Sequence, residues 1–459
     1  MTWAPKPEGM LGRVLGAAED ASPVEAVEAV TRELAAALGA VAVAFLIADL
    51  SGRSLVRLTH VAAGPAAELP VAGALVGSAR VGSDPDGSDL AGELRRDDEE
   101  SAVVLPLDGG PAEQALRTQT VRVVPAATSG TGVDGTAPAP LWTVHAPVTE
   151  RGEAIGLLEM TLPAEPDLAT LDQIRRTAHA LAFVVIAARR HTDLFEWGQR
   201  STPFTLPAEI QRRLLPAAMT CEAGSVTLSG WLEPAAHIGG DSFDYSLARD
   251  TLHLSVTDAM GHGVASALTA TLCVGSLRNT RRQGASLLEQ VSAANDAILE
   301  HAKEIETGPY VTGLLGRLDL RSGVLTVVNA GHVAPFLARG NLVTRVKLAA
   351  NVPLGLFGET RYRSAELRLE PGDRLVIVTD GMLERNAESV DLFRSISATR
   401  ALHPREATRA LADQVLEAAA NELADDATLL VLDWHGGHDD GGRTTVAGAD
   451  SERASAPLR

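Results

Sequence analysis

Aspartates at four places stand out by where they fall. Asp258 closes the alternating run LHLSVT and is followed by Ala259-Met260-Gly261-His262-Gly263; Asp380 closes the apolar run RLVIVT and is followed by Gly381. Asp425 and Asp426 directly precede ATLLVLDW, and Asp241 follows Gly239-Gly240 and opens the strand that contains Asp244. Carboxylates at strand ends, beside glycines that let backbone approach closely, are what a hard divalent cation needs. One such aspartate alone is ordinarily a turn residue. Four of them, each against a strongly apolar strand, resist that reading, because carboxylates gathered at one sheet edge repel one another unless cations compensate them. The donors are oxygen only, which suits Mg²⁺ or Mn²⁺ better than zinc.

The elements that must carry these residues are legible from period and punctuation. Ser22-Pro23-Val24-Glu25 reads as N-cap, proline at the first helical position and a capping-box glutamate. Val24, Val27, Val30, Leu34 and Leu38 then recur at helical spacing, and Gly39 stops the helix. AVAVAFLIAD and SLVRLTHV form a strand pair around Leu50-Ser51-Gly52-Arg53, and LWTVHAPV and AIGLLEMTL form another around Glu150-Arg151-Gly152. A helix from about Asp167 to Arg190 places Leu168, Leu171, Ile174, Ala178, Leu181 and Val185 on one stripe. Residues 63–100 and 125–140 read as loops. Pro203 and Pro207 break the helical pattern, and Glu209 to Leu215 restart it. From Val226 onward the pattern becomes many short strands, interrupted by two helical blocks, Ala265 to Lys303 and Pro404 to Leu423. That alternation predicts an α+β domain with sheets inside and helices outside.

Composition bounds the function. The chain has 459 residues, is 45% hydrophobic and 22% charged, and carries a formal net charge of −19. That length fits two or three domains. Bulk electrostatics of this sign predict no nucleic-acid partner and no anionic membrane surface. Two cysteines, Cys221 and Cys273, exclude a disulfide framework and a multi-cysteine zinc site, and both read as core thiols. The N-terminal MTWAPKPEGMLGRVLG lacks the apolar core of a signal peptide. The most apolar run, Ala178 to Ala188, already contains His179 and falls short of the ~20 residues a membrane span needs. The expectation is a soluble, cytoplasmic protein. No Walker loop or dinucleotide fingerprint occurs, so a nucleotide enzyme is disfavoured.

Two resemblances follow from these segments. IQRRLLP, IGGDSFD, VTDAMGHGVASAL, NAGHVAPF, PLGLF, VTDGMLE and DDATLLVL stand in the order of bacterial protein phosphatase 2C (PPM-type) catalytic domains, and more narrowly resemble the SpoIIE-like branch. The resemblance covers about residues 206–435 and implies a two-sheet β-sandwich flanked by helices. It further implies two Mn²⁺ or Mg²⁺ ions held by Asp241, Asp258, the backbone carbonyl of Ala259, Asp380 and Asp425, these aspartates being the catalytic set. An activated water would attack phosphoserine or phosphothreonine in line, without a covalent phosphoenzyme. Asp244, Asp426 and Glu384 are further candidates, as ligands to additional ions or as groups that orient the ligands. The sequence departs from eukaryotic members in placing Met260, not histidine, two residues after Asp258. His262 follows as in the bacterial branch, either as an acid or as a loop-shaping residue, and His332 of NAGH reads as structural. No counterpart of the eukaryotic phosphate-binding arginine is assignable. Separately, the helix–strands–helix unit at residues 20–190 resembles a GAF domain by order and pattern, and holds no cysteine for a thiol-linked chromophore.

The sequence therefore predicts a GAF-like sensory domain at 20–190, a linker and switch helix at 191–216, a PPM-type phosphatase domain at 217–435 and a disordered tail at 436–459. SpoIIE-like phosphatases act on phosphorylated STAS-domain anti-anti-sigma proteins, so the resemblance implies such a partner, acting in trans. The rival reading is a catalytically silent protein that uses the same fold to hold a partner. Loss of a ligand aspartate would mark it, and all four are present. The Leu168–Val185 stripe is apolar enough to form a homodimer with a second copy, or else packs on its own domain's sheet.

Overall fold

The computed structural model describes residues 9–50, 52–62, 103–126, 140–200, 205–233, 239–303, 308–383, 390–420, 423 and 425–437. The segments read as loops at 63–100 and 125–140, and the tail from 436, lie largely outside these residues. The chain divides into two units between Thr202 and Pro203.

The first unit contains, in order, α1 (Met10–Asp20), α2 (Ala26–Leu38), β1 (Ala42–Ala48), β2 (Ser54–Ala62), β3 (Val104–Pro106), α3 (Pro111–Thr118), β4 (Arg122–Pro125), β5 (Trp142–Glu150), β6 (Glu153–Leu162), α4 (Leu168–Ala188) and α5 (Leu194–Gly198). Its sheet runs β3-β2-β1-β6-β5-β4. β1 explains why AVAVAFLIAD does not alternate in polarity. Val43, Phe45 and Ile47 enter one core with α2 and α4, while Ala44 and Leu46 enter a second with Ala115 and Leu116 of α3. A strand covered on both faces reads as a continuous apolar run.

α2 begins at Ala26, later than the capping motif suggested. Ser22 and Glu25 still bond to each other through their side chains, but in the turn before the helix, and Val24 is exposed. Gly39 ends α2 in the left-handed conformation, its N–H donating to the Ala35 carbonyl. On α4, Asp167 caps the N-terminus by accepting from Thr170 N–H. Leu168, at the start of the α4 stripe, is 85% exposed. Ile174, Ala178, Leu181 and Val185 are buried in their own unit, as the alternative of packing on its own domain's sheet expected. Each of the larger three stabilises the unit by about 1.5–3 kcal/mol relative to exposure.

The second unit contains α6 (Leu206–Leu214), β7 (Thr220–Glu222), β8 (Val226–Glu233), β9 (Ser242–Leu247), β10 (Thr251–Ala259), α7 (Gly263–Arg282), α8 (Leu287–Ala302), β11 (Val311–Asp319) and β12 (Val324–Ala330). There follow β13 (Phe336–Arg339), β14 (Leu342–Arg345), β15 (Ala350–Asn351), β16 (Ala365–Arg368), β17 (Arg374–Val378), a 3₁₀ turn (Asp380–Met382), α9 (Leu392–Ala398), α10 (Pro404–Ala418) and β18 (Ala427–Trp434). Pro207 starts α6 instead of breaking a helix, since a proline in the first turn forfeits no helical hydrogen bond. The block from Ala265 to Lys303 is two helices. Gly284 takes a positive φ of 81°, and Ser286 with Glu289 forms a capping box that opens α8.

Two six-stranded sheets make a sandwich. One runs β15-β12-β11-β10-β9 with β16 also on β12; the other runs β14-β13-β17-β18-β8-β7. Strand alternation assigns each residue a layer. Leu252, Leu254 and Val256 of β10, Leu375 and Ile377 of β17, and Leu430 and Leu432 of β18 fill the space between the sheets. Ala259, Leu315 and Val328 face α7 and α8 on one outer side, and Val376, Leu429 and Val431 face α9 and α10 on the other. Gly230 permits this closeness, for a Cβ there would stand 2.4 Å from the Phe243 ring. Arg374, fully buried, joins Asp433 by two bonds at 2.6 and 3.0 Å and donates to the Thr399 and Leu402 carbonyls. These layers are the α+β arrangement expected from the strand pattern, and the two-sheet sandwich is the one the resemblance implied.

Candidate active site

The same alternation delivers the aspartates to one end of the inter-sheet layer. In the β9–β10 ladder Thr257 pairs with Ser242, and Ala259 N–H donates to the Gly240 carbonyl at 3.2 Å, so Asp258 stands opposite Asp241. In the facing sheet Val378 pairs with Leu429, and Thr379 N–H donates to the Thr428 carbonyl at 3.1 Å. That register sets Asp380 beside the Asp425-Asp426 turn. The Thr379 hydroxyl donates to Asp241 Oδ2 at 2.7 Å, tying the two sheets together.

Three glycines make the approach feasible. A Cβ on Gly240 would lie 2.5 Å from the Ala259 carbonyl oxygen, and one on Gly381 would lie 2.0 Å from the Asp426 carbonyl oxygen. A Cβ on Gly239 would press on both carboxylates, at 3.0 Å from Asp425 Oδ1 and from Asp426 Oδ2. Backbone therefore packs directly against the acidic cluster, for which only glycine has room.

The electrostatics are those of crowded carboxylates. Asp241 is buried; desolvation, then the Asp258 and Asp426 charges, push its carboxyl well above the usual range, against the Thr379 hydroxyl bond. Burial also raises Asp425, with Asp426 and Asp380 adding to the shift and the Asp426 N–H bond and nearby His262 opposing it. An excess of buried negative charge with hard oxygen donors fits divalent cations. Among the described residues no three His, Cys, Asp or Glu side chains converge as a ready-made cage. A hexacoordinate Mg²⁺-type ion keeps several waters and takes only one or two carboxylates, so a closed cage is not what such ions require. The Ala259 carbonyl accepts from the Ser266 hydroxyl at 3.0 Å and retains a second lone pair.

Not every sequence candidate joins this group. Asp244 has the other strand parity from Asp241 and faces α7. There Arg278 grips both its oxygens at 2.9 and 3.2 Å, and Arg281 adds a bond at 3.1 Å. It is an ion-pair partner, not an orienter of the cluster. Asp426 does join the group, 1% exposed. Glu384 lies outside the described residues. His262 sits at the N-cap of α7 without capping it through its side chain. His332 is structural in its contacts. Its backbone N–H donates to Asn329 Oδ1 at 2.7 Å, its carbonyl accepts from Asn329 Nδ2, and its Nδ1 meets the Thr312 hydroxyl at 3.1 Å. Thr312 is the β11 partner of Asp258. Burial pushes the His332 imidazole down to about 4.

Two residues the motif reading passed over complete the site. Thr379 is one. The other is Gln211 of α6, 3% exposed, whose Nε2 donates to the Asp241 carbonyl at 3.0 Å and to Asp426 Oδ2 at 2.5 Å. Polar residues inside strong motifs or amphipathic helices carry no sequence mark of such long-range bonds.

Residues 248–435 match the family described as Stage II sporulation protein E (SpoIIE). The stage II sporulation protein E of Bacillus subtilis is 24% identical over 42% of this chain and 24% of its own length. The phosphoserine phosphatase RsbU of Bacillus subtilis is 22% identical over 50% of this chain and 68% of its own. The chain thus spans only a quarter of the first relative. Among solved structures, the RsbU and RsbW domains of Rv1364c from Mycobacterium tuberculosis align with 24% identity over 49% of this chain and 62% of that one, at a TM-score of 0.41. The catalytic domain of the serine/threonine phosphatase PstP, solved with two manganese ions, aligns with 17% identity over 45% and 97%, at a TM-score of 0.37. The C-terminal half of the chain is therefore similar to the SpoIIE family and to RsbU-like relatives.

Proposed function

We propose that the protein is a metal-dependent serine/threonine protein phosphatase. The observation that carries this reading is the buried Asp241 carboxyl, crowded by Asp258 at the end of its own sheet and by Asp426 at the end of the facing one. Asp241, Asp258, Asp380, Asp425 and the Ala259 carbonyl would hold two Mn²⁺ or Mg²⁺ ions. Cations bound there would lower the pKa of a coordinated water towards ~7 and screen the phosphoryl oxygens. The protein's own part is positional. The Thr379 hydroxyl fixes the Asp241 carboxylate, and the glycines at 239, 240 and 381 bring backbone within contact of the cluster. His262 lies near enough to Asp425 to act on its carboxyl and is the candidate acid of this reading. The silent-binder reading is disfavoured because every expected ligand aspartate is present and the expected carboxylates cluster.

The substrate in this reading is a phosphorylated STAS-domain anti-anti-sigma protein in the cytoplasm, and the first unit is a GAF-like sensory domain. The kinship with phosphoserine phosphatases and the helix–antiparallel sheet–helix order of the first unit support these assignments. The test is incubation of the purified chain with a phosphoserine STAS protein, followed by intact mass. Loss of the phosphoryl group only when Mn²⁺ or Mg²⁺ is present supports the reading. Retention of the group, with no STAS phosphosite raised in a deletion strain, sinks the substrate assignment.

A further inference from the structure

Gln211 lies where the two sheets come together at their acidic end. Asp241 enters the sandwich from β9 and Asp426 from β18, so they belong to different sheets. One buried side-chain nitrogen donates to both, to the main chain of the first and the carboxylate of the second. A primary amide has two N–H groups on that nitrogen, and both are used here. The bond to Asp426 is charge-assisted, the stronger class. Thr379 and Gln211 both bridge the sheets at this point.

The helix that presents it is itself anchored. The Arg278 guanidinium, while gripping Asp244, donates to the Leu214 carbonyl at the end of α6. On the face that carries Gln211, Ala208 and Leu214 are buried, Leu214 in the core with α7, while Leu206 at the helix start is 65% exposed. Thus α6 meets the carboxylate cluster through Gln211 and is steadied one turn later by Arg278.

We propose that Gln211 is a positioning residue of the metal site: it fixes the separation between the Asp241 and Asp426 strand ends, so the seating of α6 sets the affinity for the divalent cation. This rests on the metal-phosphatase reading. Substituting groups that orient metal ligands costs about 10–100-fold in metal affinity. A purely structural glutamine would lower thermal stability without moving the affinity of the folded protein.

The experiment is calorimetric titration of the full chain with Mn²⁺, beside turnover measured against Mn²⁺ concentration. Gln211→Leu should weaken Mn²⁺ binding by about 10–100-fold and shift half-activation equally, with kcat at saturating Mn²⁺ within about twofold of wild type. Gln211→Asn keeps the amide but retracts it by one methylene, so it should show a smaller loss and guards against misfolding of the leucine variant. Glu209→Gln, a part-exposed position of the same helix paired with Arg213, should leave affinity unchanged. Wild-type affinity in both Gln211 variants would overturn the inference while leaving the phosphatase reading intact. Absence of Mn²⁺ binding by the wild type would overturn both.

Discussion

Strand parity makes a sharp claim about two aspartates in the same stretch of sandwich. Asp258 belongs to the inter-sheet end, whereas Asp244 faces α7 and serves the fold. The informative perturbation is therefore Asp244→Asn beside Asp258→Asn. Asp244 makes three bonds to two guanidinium groups, with its side chain 6% exposed and those of Arg278 and Arg281 23% and 15% exposed. Breaking a buried pair from one side costs about 3–5 kcal/mol, because it strands the other charge. Here the arginines reach some solvent and Arg278 keeps its bond to the Leu214 carbonyl, so the low end applies, about 3 kcal/mol. For a unit of this size that lowers the melting temperature by roughly 6–12 °C. The assay is urea unfolding with an unchanged m-value, paired with Mn²⁺ calorimetry. Asp244→Asn should lose stability and keep its metal affinity. Asp258→Asn should keep the fold and lose both metal binding and turnover, since a neutral amide removes a charge the cations need. If Asp244→Asn instead loses metal at unchanged stability, or Asp258→Asn binds Mn²⁺ normally, the parity argument fails.

Further outcomes follow from the same geometry. Asp241 holds its proton above the usual range, so the folded metal-free protein binds more protons than the unfolded chain, and ionising this group costs stability as pH rises from about 4. In chelator, Asp241→Asn should gain on wild type across that rise, the comparison cancelling the opposite contributions of His253 and His332; a flat difference would contradict the burial argument. Gly381→Ala would force a Cβ within 2.0 Å of the Asp426 carbonyl oxygen; it should cost about 1–3 kcal/mol and weaken Mn²⁺ binding, and a variant indistinguishable from wild type would refute the close approach. Arg374→Met strands Asp433 and should cost about 3–5 kcal/mol in urea unfolding, with metal affinity retained because the pair lies away from the aspartates.

Much of this was legible from residues in order. Apolar runs bounded by aspartates marked the strand ends, and the period of two, applied strictly, would have set Asp244 apart from Asp241. Gly284 with the Ser286–Glu289 box likewise marked the break between α7 and α8. Other features had no local signal. The stripe on α4 has the same spacing whether it meets its own sheet or a second copy, and only the packing of Ile174 and Leu181 in the first unit's core decides. Short elements such as α3 and β4 carry too few residues for a period to show. Gln211 and Thr379 owe their roles to bonds spanning 215 and 138 residues of sequence, which no local pattern encodes.

The most direct test is hydrolysis of para-nitrophenyl phosphate by the purified full chain, with chelator, with added Mn²⁺, and with the Asp258→Asn variant in parallel. The account predicts turnover that appears with Mn²⁺, vanishes in chelator and is absent from Asp258→Asn. Turnover that survives chelation, or that persists undiminished in Asp258→Asn, would contradict it.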